Sequence, residues 1–133
     1  MIPSGEKIAV QNTPFDFTTA QNIGYALEQP HEQLSKGNGF DHCYCFDSVA
    51  HQLKSVATLF HPHSGRKMQV HTTSPGMQLY TANHLEAPFV AHGAVCLETQ
   101  AYPDSPNQRN FPSTILRPEE TFKSSTHFHF SID

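Results

Sequence analysis

Beyond residue 40, apolar and polar side chains alternate along most of the chain, the mark of half-buried β-strands rather than helices. The last segment shows it most clearly, with Phe122, Ser124, Thr126, Phe128, Phe130 and Ile132 on one face and Lys123, Ser125, His127, His129 and Ser131 on the other. Residues 54–60 and 66–73 alternate on either side of His61-Pro62-His63-Ser64-Gly65 and predict a hairpin, with Met68 and Val70 opposite Lys67, Gln69 and His71. Ser74-Pro75-Gly76 then turns the chain into a strand over 77–83, and a further strand is predicted around Glu98. In that strand Val95 and Leu97 share one face, leaving Cys96, Glu98 and Gln100 on the other.

The first forty residues read differently. A short strand is predicted over 7–10, and Pro14 ends regular structure there. Thr18 or Thr19 caps a brief helix over 22–27, weakened by Gly24 and closed by Pro30, and one more turn is predicted over 31–34. Gly37-Asn38-Gly39 then delivers Phe40-Asp41-His42 into a strand over 43–46. Six or seven strands with almost no helix after residue 35 predict an all-β fold, an antiparallel sandwich or part of one.

At 133 residues the chain fits one domain, expected to span 1–133. Only 15% of residues are charged, against ten each of proline, phenylalanine and histidine, which describes a loop-rich chain with an aromatic core. The formal charge of -4 and the lack of a basic stripe exclude nucleic acid and anionic membrane as principal partners. Cys43, Cys45 and Cys96 are odd in number, and the C-x-C pair is too close for an ordinary disulfide, so a reduced, cytoplasmic setting is expected. No apolar run is long enough to span a bilayer, and the first residues do not resemble a signal peptide.

His61-x-His63 and His127-x-His129 each place two imidazoles on one side of an extended segment, but zinc-type spacing is missing, so no metal and no other cofactor is expected. A nucleophile elbow and a phosphate-cradling loop are equally missing. Carboxylate and amide chemistry remains, carried by Asp41 at a strand entrance, Gln78 on the polar side of a strand and Glu98 at a strand end.

The words flanking these residues occur in one order: Gly39-Phe40-Asp41-His42, Ser64-Gly65-Arg66, Thr73-Ser74-Pro75-Gly76-Met77-Gln78-Leu79-Tyr80-Thr81-Ala82-Asn83, Leu97-Glu98-Thr99-Gln100, Pro103-Asp104-Ser105-Pro106-Asn107 and Phe111 to Pro118. Together they resemble the C-terminal portion of the aldose 1-epimerases, or galactose mutarotases, over essentially the whole chain. The resemblance implies an antiparallel β-sandwich of the galactose mutarotase type, here partial, and interconversion of the α and β anomers of hexoses such as galactose and glucose, without a cofactor. It implies Glu98 as the general base and Asp41 and Gln78 as sugar ligands.

The departures from the family pattern define further expectations. The Asn-His-x-x-aromatic-Asn motif that carries the family's general acid does not occur, so the chain alone is expected to be a weak or inactive epimerase, the alternative being a non-catalytic hexose-binding or interaction module. A sandwich lacking strands leaves edges and apolar surface such as the Phe122, Phe128, Phe130 and Ile132 face, which predicts self-association or pairing with a complementing N-terminal mutarotase chain. His84 stands where the family usually has an aromatic. Glu119 replaces a usual glycine, and strain is expected there if the turn needs positive φ.

Overall fold

The computed structural model describes residues 2–46 and 52–132. Two short helices, α1 (Ile23–Leu27) and α2 (Glu32–Gly37), precede six strands: β1 (Asp41–Cys45), β2 (Lys54–His61), β3 (Arg66–Thr72), β4 (Gly76–Tyr80), β5 (Cys96–Gln100) and β6 (Thr126–Ile132). They form two three-stranded sheets, ordered β1-β4-β5 and β2-β3-β6. The all-β expectation therefore holds, with mostly antiparallel strands and few helices.

The chain divides into two compact units, Met1–Cys43 with Gln78–Glu98, and Tyr44–Met77 with Thr99–Asp133. Asp41, Gln78 and Glu98 all belong to the first. Its core gathers Ala26, Leu34, Phe40, Leu79 and Ala82, all buried. Phe15 and Phe17 set their rings edge-on against Phe40 at 5.1 and 5.5 Å, and Phe15 also meets His31 and His42 at 5.0 and 4.7 Å.

Local chemistry explains where this unit departs from the pattern. Asn22, not Thr18 or Thr19, caps α1, its Oδ1 accepting the Tyr25 N–H at 3.0 Å. Thr18 is instead occupied with Asp16, its hydroxyl donating to Oδ1. His31 caps α2 by accepting the Gln33 N–H on Nδ1 at 3.2 Å, and the helix ends at Asn38 in the left-handed region, φ 51°. The strand predicted over 7–10 does not form: Ile8 is 77% exposed, and the Val10 carbonyl accepts the Thr13 N–H at 3.1 Å, closing a turn where a ladder would have continued.

The second unit is built on the predicted hairpin. β2 and β3 pair antiparallel from Lys54↔Thr72 to His61↔Arg66, with a bulge between Ser55 and Ala57 that restores Ala57 and Leu59 to the Val70 face. β6 pairs with β3 from Thr72↔Thr126 to Arg66↔Ile132. The final strand is shorter than the alternation predicts. Its ladder stops where Thr73 bonds Ser125, because Ser74 and Pro75 follow, and proline has no N–H to extend it. Val70 is fully buried, yet Phe130 and Ile132 on the same face are 72% and 80% exposed, and Phe122 is also open.

Two turns in this unit carry conformational demands. A Cβ on Gly76 would lie 2.9 Å from the Tyr44 carbonyl and 3.0 Å from the Tyr102 ring, so only glycine lets the loop after β5 lay Tyr102 against β4. Tyr102 is buried there and meets Phe111 edge-on at 5.2 Å. In the Arg117 to Glu120 turn, Glu120 N–H reaches the Arg117 carbonyl at 3.1 Å, with Pro118 at the first central position and Glu119 at the second with φ 72°. That is the type II pattern, which favours glycine at the position where this chain has glutamate.

Candidate functional site

The site is assembled from the loop that enters β1. Gly37, Asn38 and Gly39 end α2, and Gly39 adopts φ 130°, where a side chain would collide with the Asn83 amide and sit 2.9 Å from the His92 ring. Asn83 is buried and holds the loop down: its Nδ2 donates to the carbonyls of Gly37 at 2.8 Å and Phe40 at 3.0 Å. Its Oδ1 accepts the Thr81 hydroxyl at 2.6 Å. Thr81 Oγ1 in turn accepts the Phe40 N–H at 3.0 Å, while the Thr81 N–H donates to the Phe40 carbonyl at 3.1 Å. Every donor and acceptor of this buried amide is engaged, so the backbone delivering Asp41 has little freedom.

Phe40 bonds Thr81 at one end of β1, and the Phe46 N–H donates to the Pro75 carbonyl at the other, so β1 and β4 run antiparallel. Asp41 and Gln78 are then diagonal neighbours on one face, and Gln78 Nε2 donates to Asp41 Oδ1 at 2.8 Å. Both side chains are half-buried. Gln78 Oε1 is buried without a hydrogen-bond partner among the described residues. Because an unsatisfied buried acceptor costs free energy, that oxygen favours a ligand able to donate a proton to it.

Glu98 occupies the centre of β5, on the other side of β4 from Asp41's strand in the sheet order. It is exposed, and no hydrogen bond joins it to Asp41 or Gln78 among the described residues. Of the three residues singled out from the sequence, the structure thus brings Asp41 and Gln78 into direct contact and keeps Glu98 on a neighbouring strand.

His42 is a polar group that the alternation does not flag. Its Nδ1 accepts the Asp41 N–H at 3.0 Å, which puts the neutral ring's proton on Nε2, and that atom is buried and without a partner among the described residues. Burial lowers its pKa below the ordinary histidine value, and the Asp41 carboxylate beside it opposes the shift. Thr81 and Asn83 were missed as positioning residues for a similar reason. They follow the last apolar position of β4, where alternation gives out, and only the folded loop shows what they bond.

Residues 1–129 match the sequence profile of the aldose 1-epimerases. The chain belongs to the aldose 1-epimerase family. It is 38% identical over 140 residues to the galactose mutarotase of Bos taurus and 39% identical to that of Homo sapiens, in each case over 99% of this chain and 39% of the relative. The aldose 1-epimerase of Escherichia coli K12 is 29% identical over 97% of this chain. A crystal structure of an aldose epimerase homologue from C. elegans superposes with a TM-score of 0.84 over 98% of this chain at 20% identity, showing the fold, and this chain covers 40% of it. Both the family and the aldose epimerase fold are therefore established, in a chain that spans about two-fifths of the length of these relatives.

Proposed function

We propose that this chain carries the sugar-binding and base half of an aldose 1-epimerase site. The observation that carries the reading is the Gln78 to Asp41 hydrogen bond of 2.8 Å, with Gln78 Oε1 buried and unpartnered beside it. A hexose hydroxyl both donates and accepts. It would donate to Gln78 Oε1 or to the Asp41 carboxylate, completing the network that the protein alone leaves open. Galactose and glucose are the substrates that the relatives' names and the family chemistry suggest, and no cofactor is required.

Glu98 would take the proton from the C1 hydroxyl. As the C1–O5 bond breaks, an acid delivers a proton to O5, giving the open-chain aldehyde. Rotation about C1–C2 presents the other carbonyl face, and the same steps in reverse close the opposite anomer. General acid or base assistance is worth roughly a hundred- to ten-thousand-fold each. By the family pattern the acid is a histidine in a motif that this sequence does not contain, so Glu98 alone should yield weak turnover or none. The exposure of Glu98 favours a second reading, hexose binding without catalysis, because an exposed carboxylate lacks the water-excluded setting that strengthens acid and base groups in an active site.

Anomerisation of freshly dissolved α-D-galactose, followed by polarimetry, separates these readings. A half-site with a working base predicts a small excess over the buffer rate that vanishes in Glu98→Gln. A large excess that survives Glu98→Gln would remove Glu98 from the mechanism. Saturable galactose binding with no excess rate would leave the binding reading alone.

A further inference from the structure

The polar face of sheet β2-β3-β6 gathers histidines from two strands. The β3/β6 register sets His71 opposite His127 and Gln69 opposite His129, so alternation places His71, His127 and His129 on one face. Spacing along the sequence offers only the two imidazoles of β6, whereas strand pairing supplies the third. Directly opposed residues have Cβ atoms about 4.5–5.5 Å apart, diagonal ones about 7–8 Å, and residues two apart on a strand about 7 Å. Three imidazoles on such a triangle can lean toward one point above the sheet, each nitrogen reaching a metal at about 2.0–2.1 Å.

Four of the other histidines are already engaged: His31 caps a helix, His42 accepts a backbone N–H, His61 bonds Ser64, and His92 bonds the Thr81 carbonyl. The rings of His71, His127 and His129 form no hydrogen bond among the described residues. As the side chains lie, no three potential ligands among the described residues converge. His127 and His129 are exposed, however, and exposed rotamers interconvert in picoseconds to nanoseconds. Closing the triangle requires rotation of these side chains toward the half-buried His71.

We propose that His71, His127 and His129 form a three-imidazole site for a divalent metal of the zinc, copper and nickel class, with water completing the coordination. Such a site would clip β6 to β3. β6 is an edge strand whose Phe130 and Ile132 contribute little burial, so a cross-strand metal supplies anchoring that packing does not. A metal that binds only the folded sheet stabilises it by mass action.

The test is calorimetric titration of ZnCl₂ into tag-free, EDTA-stripped protein, with thermal unfolding measured with and without Zn²⁺. One equivalent should bind at micromolar concentration and raise the melting temperature. His127→Gln and His129→Gln should each weaken binding at least tenfold and abolish the thermal shift, while His61→Gln changes neither. All three substitutions lie on exposed side chains, and far-ultraviolet circular dichroism confirms that each variant is folded. His71→Ala should match the β6 variants, and imidazole Cε1–H resonances of these three histidines should shift together. Absence of saturable Zn²⁺ binding below millimolar concentration, or binding undiminished in His127→Gln and His129→Gln, overturns the proposal. So does loss of binding in His61→Gln instead.

Discussion

Glu119, Asn83 and His42 illustrate how single residues carry consequences that composition hides. Glu119 sits at φ 72° in the turn closed by Arg117 and Glu120, a conformation costing an L-residue roughly 1–2 kcal/mol. Glu119→Gly should therefore raise the unfolding free energy by about 1 kcal/mol in urea, part of the relief being returned as unfolded-chain entropy. Asn83→Ala would strip the Gly37 carbonyl of its Asn83 donor, remove one of the donors to the Phe40 carbonyl and leave the Thr81 hydroxyl only its longer 3.3 Å bond to Phe40. The expected loss is about 2–3 kcal/mol by the same denaturation measurement. His42 has its pKa lowered by burial, so between that value and about 6.5 the unfolded chain binds more protons than the folded one. Stability should fall as pH drops below about 6.5, and the slope should flatten in His42→Leu; an unchanged slope would assign the acid sensitivity to other groups.

At the scale of elements, the alternation was legible where a strand has a partner and misleading where it does not. β2, β3 and the turn between them match their predicted positions within a residue, because Val70 is buried and neighbouring strands flank β3 on both sides. The segment over 7–10 has a strand-like composition but no ladder, and residues 122–124 alternate beyond the last ladder bond, at Ser125, since Pro75 ends the donor row opposite them. The cap of α1 falls on Asn22 and not on Thr18 or Thr19 because the helix starts only at Ile23, which makes Asn22 the residue whose side chain reaches the first free N–H groups. Of the candidate site, Asp41, Gln78 and Glu98 were identified by motif resemblance, whereas their contacts were not legible: a diagonal bond depends on register, which no local pattern encodes. The apolar side of β6 carries a prediction of its own. With Phe130 72% and Ile132 80% exposed on an edge strand, the protein should associate with rising concentration in analytical ultracentrifugation. Replacing both by threonine should shift it toward monomer; identical sedimentation of the two proteins would place the association elsewhere.

The whole molecule is a member of the aldose 1-epimerase family spanning about 39% of the length of its mammalian relatives. Fold and family follow from strands, motifs and superposition, while activity is a matter of which catalytic groups the chain supplies. On the reading advanced above it supplies a sugar-binding pair, Asp41 and Gln78, and a base, Glu98, mounted on adjacent strands of one sheet. Hexose binding is the most direct consequence of the preorganised Asp41–Gln78 pair. Saturation-transfer difference NMR with D-galactose tests it: transfer to the sugar protons should saturate with galactose concentration in the natural protein and disappear in Asp41→Ala and Gln78→Ala variants that remain folded. No transfer in the natural protein, or equal transfer in the folded variants, would contradict the account.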